Sequence, residues 1–172
     1  MGMLDRLLGR SGPDPREELR PLWHRVVEIS REPAFYSEMG VADSVEGRFD
    51  MITMVLSVAL LRLEAEERTG EATLLTELFV EDMDGQLREQ GVGDVVVGKH
   101  VGKLMSTLGG RLGALRDAFA GDDDAALVAA VDRNVTFGEG GLPEGVAGAL
   151  RHLRAQLMSL KADEVLAGSI PR

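Results

Sequence analysis

The chain has 172 residues, 44% of them hydrophobic and 28% charged, with a formal net charge of -10 and no Cys. That length carries one domain with a sizeable core, and the balance of apolar and charged residues excludes wholesale disorder. The surplus of acid excludes a general nucleic-acid binder, which needs excess Lys and Arg to neutralise phosphate, and the lack of Cys excludes disulfides and thiolate metal sites.

Residues 1–14 read as a flexible N-terminal segment. Met1 to Arg10 is too short and too charged for a signal peptide. Met3, Leu4, Leu7 and Leu8 can form a short amphipathic turn at a membrane surface, or simply a frayed terminus before Ser11-Gly12-Pro13. The longest uncharged apolar run, Met51 to Leu61, is about half of what a membrane-spanning helix needs. The chain therefore reads as cytoplasmic, with peripheral contact at the inner face of the cell membrane as the further option.

Residues 15–166 read as an all-α, single-domain bundle of about six helices. The first begins near Pro15 after Asp14, with Glu17 and Glu18 suiting the positive end of the helix dipole. Leu19, Leu22, Trp23, Val26, Val27 and Ile29 supply its apolar stripe, and Pro33 ends it near Glu32. The second runs from Asp43 or Ser44 to about Arg68 and is apolar nearly all round. Such a helix is the buried centre of a bundle. The alternative is an apolar groove for a client, lined by Phe49, Met51, Met54, Phe79 and Met83, since methionine adapts to varied apolar surfaces.

The third helix spans about Glu71 to Gln90, with Leu75, Leu78, Phe79, Met83 and Leu87 inward. Its acidic stretch Glu81, Asp82, Asp84 is a poor cation or acid/base site, because residues two apart diverge by about 160° on a helix. A solvated or partner-facing surface fits better, with Arg88 four residues beyond Asp84 in position for an ion pair. Gly91-Val92-Gly93-Asp94 is a turn in which Asp94 caps the next helix.

The fourth helix, Val95 to Phe119, places Val97, Val101, Leu104, Met105, Leu108, Leu112, Leu115 and Phe119 within one arc of about 100°. Gly98, Gly102, Gly109 and Gly113 share one flank. Each glycine weakens a helix by about 1 kcal/mol relative to Ala, so four together predict that another backbone packs there, from this chain or from a client. Lys99, His100, Lys103, Thr107 and Arg111 form the opposite face. A short fifth helix follows Asp122-Asp123-Asp124, then a glycine-rich loop. A last helix carries Val146, Leu150, Leu153, Leu157 and Leu160 at bundle spacing. Residues 167–172 read as a loose tail.

No catalytic constellation emerges. His24, His100 and His152 lie far apart, no HExxH, GxSxG or phosphate-loop pattern is present, and Gly138-Glu139-Gly140-Gly141 lacks the Lys of a phosphate loop. The residues predict no enzyme, no metal and no cofactor.

Two segments carry a family pattern: Gly47-Arg48-Phe49-Asp50-Met51 with its apolar helix, and Phe79-Val80-Glu81-Asp82-Met83-Asp84 followed by Leu87-Arg88-Glu89, Gly91-Val92-Gly93-Asp94 and Lys99. Gly110-Arg111 completes it. Together these resemble the ubiquinol–cytochrome c chaperone domain of alphaproteobacteria and mitochondrial assembly factors, over roughly Pro33 to Phe137. The resemblance implies a role in assembling the cytochrome bc1 complex, not a reaction. It implies cytochrome b or another bc1 subunit as client, and a small partner protein beside it. The candidate contacts are Arg48, Glu81, Asp82, Asp84, Arg88, Glu89, Asp94, Lys99, Lys103 and Arg111. The competing reading is a helical binding module with a small apolar ligand in its core.

Overall fold

The computed structural model describes residues 12–89, 91 and 94–172, without the side chains of Leu87 and of residues 94–97. The readings of Met3, Leu4, Leu7 and Leu8, of the Val92-Gly93 turn and of the Asp94 side chain lie outside the described residues. A 3-10 turn, Pro15–Leu19, leads into α1 (Arg20–Ser30). Then follow α2 (Pro33–Ser37), α3 (Val45–Ala65), α4 (Thr69–Glu89), α5 (Asp94–Ala120), α6 (Asp124–Asn134), α7 (Pro143–Ser159) and α8 (Ala162–Leu166). The six longer helices are those expected, so the all-α architecture is as the periodicity indicates.

The expected starts have the expected causes. Asp14 accepts the backbone N–H of Arg16 at 3.0 Å, Ser44 accepts that of Gly47 at 3.2 Å, and Asp123 accepts that of Ala125 at 2.9 Å. Each satisfies a donor that the first turn leaves unpaired. Gly47 has a further reason to be glycine: a Cβ there would stand 1.9 Å from the carbonyl oxygen of Ala42.

Helix α3 is the axis of the bundle and packs against α1, α4, α5 and α7. Met51, Met54, Leu56, Leu63, Leu75, Leu78 and Phe79 are fully enclosed around it. The central-helix reading therefore describes this region, and the open methionine groove does not. Met51, Met54 and Phe79 are 0% exposed and Met83 8%, because α3 packs against α1, α4, α5 and α7, and α4 packs against α1 and α5 as well. Only Phe49 of that set is partly uncovered.

Two loops are laced together beside the start of α3. Ala42 donates to the Thr136 carbonyl at 2.9 Å, Gly138 to that of Gly40 at 2.9 Å, and Leu142 to that of Met39 at 2.8 Å. The C-terminal segment is likewise held, correcting the loose tail. Ile170 is buried, and Arg25 donates to the carbonyls of Ile170 and Pro171 at 3.0 Å each. A buried arginine that pairs with two carbonyls at once overcomes the fraying expected of a terminus.

Candidate functional site: a groove between two helices

The apolar arc of α5 is broader than the chain covers. Leu104, Leu108, Leu115 and Ala118 are buried, whereas Met105 is 42% exposed and Val101 and Leu112 are partly open. These three side chains, with Leu60 of α3 and Val80 of α4, line a groove of about 880 Å³ between α4 and α5. Glu64, Glu77, Glu81 and Asp84 stand along it together with Arg16 and Arg88. The walls are thus helical and the floor apolar, with a rim of mixed but predominantly acidic charge.

The glycine flank of α5 also departs from expectation. A Cβ at Gly98, Gly102, Gly109 or Gly113 would meet no atom within 4 Å. No helix of this chain packs there among the described residues. The expected close approach by a neighbour within the bundle is corrected to an uncovered flank.

Arg111 is the second correction. It does not join Lys99 and Lys103 on the exposed face but turns into the bundle, where its side chain is 12% exposed. Its Nη2 donates to Oδ1 of Asp50 at 2.6 Å, its Nη1 bonds the Thr53 hydroxyl, and its guanidinium lies 5.5 Å from the Phe49 ring centroid. Asp50 Oδ2 accepts the backbone N–H and the hydroxyl of Thr136 at 2.8 and 2.7 Å. One carboxylate therefore ties α3, α5 and the loop after α6. Sequence reasoning missed Asp50 as a structural group. Its signal was the one charged residue between Phe49 and Leu61, the apolar middle of the helix, which demands a partner when buried. Arg62 behaves alike: 6% exposed, it donates to the carbonyls of Leu157 and Leu160 at 2.8 and 3.0 Å, where a cation suits the negative end of α7.

The other candidate residues separate onto different surfaces. Glu81 stands on a ridge of α4 and pairs with Arg16 at 2.8 Å. Asp84 faces the α4–α5 groove and accepts from Nε of Arg88 at 3.0 Å, while its Oδ1 is sealed from solvent with no hydrogen-bond partner among the described residues. Asp82 and Glu89 fall on the other side of α4, lining a second groove of about 680 Å³ against Trp23, His24 and Arg31 of the α1 side. Arg48 is exposed and pairs with Asp43 at 2.7 Å, remote from either groove's lining. Lys99 and Lys103 are exposed. Near the Arg16 end, hydrogen bonds from the Arg16 side chain and then its backbone N–H hold the Asp14 carboxyl down to about 2. Burial pushes the Tyr36 phenol upward, its hydroxyl donating to the Ser30 carbonyl at 2.7 Å.

Among the described residues no group of His, Asp and Glu is arranged to hold a metal ion, and no helix is long and apolar enough to cross a membrane. What the arrangement offers is a surface: an open apolar trough with charged edges on a rigid helical frame. That is the equipment of a protein-binding scaffold, the class to which assembly chaperones belong.

The family profile described as Ubiquinol-cytochrome C chaperone matches residues 37–171. The chain therefore belongs to the ubiquinol–cytochrome c chaperone family, whose role lies in assembly of the cytochrome bc1 complex. A solved structure described as the Cbp3 homolog from Brucella abortus is similar throughout, with 28% identity, a TM-score of 0.78, and coverage of 98% of this chain and 95% of that one. No curated protein matches the chain.

Proposed function

We propose that this protein holds newly made cytochrome b during cytochrome bc1 assembly, and that the α4–α5 groove is where it does so. Family membership supports assembly as the role. The observation that carries the site is the uncovered part of the α5 apolar arc, Val101, Met105 and Leu112, over an 880 Å³ trough. A membrane subunit that has not met its neighbours presents apolar helix faces and, on its cytosolic side, Lys- and Arg-rich loops. An apolar trough with Glu77 and Asp84 on its edge suits both features. The chemistry needed is reversible shielding, which requires no catalytic group.

The test is a photo-crosslinking residue placed at Met105 in cells, with Met158 on a different surface as the control position. Recovery of cytochrome b from the Met105 position alone is the expected result. Recovery of no bc1 subunit, or equal recovery from Met158, refutes the assignment.

A further inference from the structure

We infer that the occupant of the α4–α5 groove is an amphipathic helix with a cationic edge, about four turns long, lying with that edge against Glu77 and Asp84. This rests on the reading of the groove as the client site and specifies what part of a client enters it.

Length comes first. The α4 wall contributes residues from Thr69 to Arg88. At about 1.5 Å per residue those residues span roughly 28 Å, enough for a segment of about four turns to lie within the wall. Secondary structure follows from the walls. Both are helices whose backbone groups are bonded internally, so neither presents an edge to which an extended peptide could add as a strand. Recognition must run through side chains. Polyproline segments dock in aromatic-lined grooves, and among the described residues this lining holds no aromatic side chain, so a helix laid in the groove fits it better.

Charge fixes the edge. The carboxylates Glu64, Glu77, Glu81 and Asp84 outnumber the guanidiniums Arg16 and Arg88 along the groove. Three of the four are engaged: Glu64 with Arg116 at 2.8 Å, Glu81 with Arg16 at 2.8 Å, and Asp84 through Oδ2 with Arg88 at 3.0 Å. Glu77 makes no ion pair among the described residues, and Asp84 Oδ1 accepts no hydrogen bond there. A Lys or Arg brought in on the edge of a helix meets Glu77 and the part of the Asp84 side chain that stays open, 27% of it, while the sealed Oδ1 is out of its reach. Glu77 and Asp84, seven residues apart, recur on nearly the same face of α4, so one helix edge can address both.

The experiment uses the full chain and a fluorescent peptide of about 16 residues, Leu and Ala on one face with Lys along one edge, beside a twin with Glu for Lys. Anisotropy reads binding and circular dichroism reads helix formation. The Lys peptide is expected to bind and become helical, and to weaken as salt screens the rim. Glu77→Lys is expected to weaken it roughly tenfold and Met105→Gln roughly fivefold, with Met158→Gln unchanged. Equal binding of the Glu twin, binding without helix, or equal loss in Met158→Gln overturns the inference. So does a dimer that Met105→Gln converts to monomer, which would make the groove a self-association face, or a stoichiometric small molecule retained in native mass spectrometry. All three substituted side chains are exposed, and thermal melts verify that each variant folds. If Met105→Gln lowers bc1 levels in cells while no Lys peptide binds, the helix is refuted and the groove's role stands. If the peptide binds as expected while bc1 levels are indifferent to both variants, the client role of the groove fails instead.

Discussion

Replacing Asp50 with Ala removes three bonds at once: the 2.6 Å bond from Arg111 and the 2.8 and 2.7 Å bonds from Thr136. It leaves a guanidinium that is only 12% exposed without its anion, and a backbone N–H without its acceptor. Bonds to a charged group contribute about 1.5–3 kcal/mol each but are not additive. Breaking a buried ion pair from one side costs about 3–5 kcal/mol, so Asp50→Ala should fall in that range, a large part of a typical domain's stability. The companion Asp50→Ala with Arg111→Met removes both charges and keeps an apolar stem over Phe49. It should recover part of the loss, because no uncompensated cation remains. Urea denaturation of wild type, both single variants and the double variant supplies the cycle. A loss below about 1 kcal/mol in Asp50→Ala, or a double variant as unstable as the sum of the singles, refutes the account of a buried, shared carboxylate.

Gly109→Ala, on an open helical position, should raise stability by about 0.5–1 kcal/mol, whereas Gly47→Ala, jammed against Ala42, should lower it by about 1–3 kcal/mol; the same urea titrations decide both signs. Ile170→Ala should cost about 2 kcal/mol or more, and a neutral result would restore the loose tail. Asp84→Lys should reduce cytochrome b recovery at the Met105 crosslinking position while Asp82→Lys leaves it intact, since the two residues line different grooves; equal effects would place the client on the whole acidic stretch. The Asp14 carboxyl titrates below its usual range, so its contribution is complete above the unfolded value near pH 4 and is lost as pH falls toward about 2. Asp14→Asn should remove that part of the acid transition, and an unchanged acid limb would show that the Arg16 contact is not maintained in solution.

The helices and most of the core were legible because their signals are local: Ser44 and Asp123 cap where short polar side chains precede apolar periodicity, and α3 is too apolar to sit anywhere but the centre. The site was less legible because it is defined by what is missing. A wheel of α5 shows an apolar arc and a glycine flank but not which portion the neighbours cover. Arg111 shows the same limit. On the wheel it borders the Leu104–Leu108 edge, and whether its tip goes out or in depends on Asp50, sixty-one residues away. The acidic stretch was correctly divided by helical geometry, which sends Asp82 and Asp84 apart, but the groove each enters is a property of α1 and α5.

The fastening of α5 is uneven along its length. Its later half is bolted by Arg111 and by Leu108, Leu115 and Ala118, while among the described residues of its first half only Leu104 is buried, with exposed glycines at positions 98 and 102. The Leu112 end of the groove should therefore be held more firmly than the Val101 end. Amide hydrogen exchange should register this as a gradient, slow from residue 108 onward and faster toward Gly98. If the groove takes a client segment, one firm end and one looser end would let segments of different girth lie there without disturbing the core beneath.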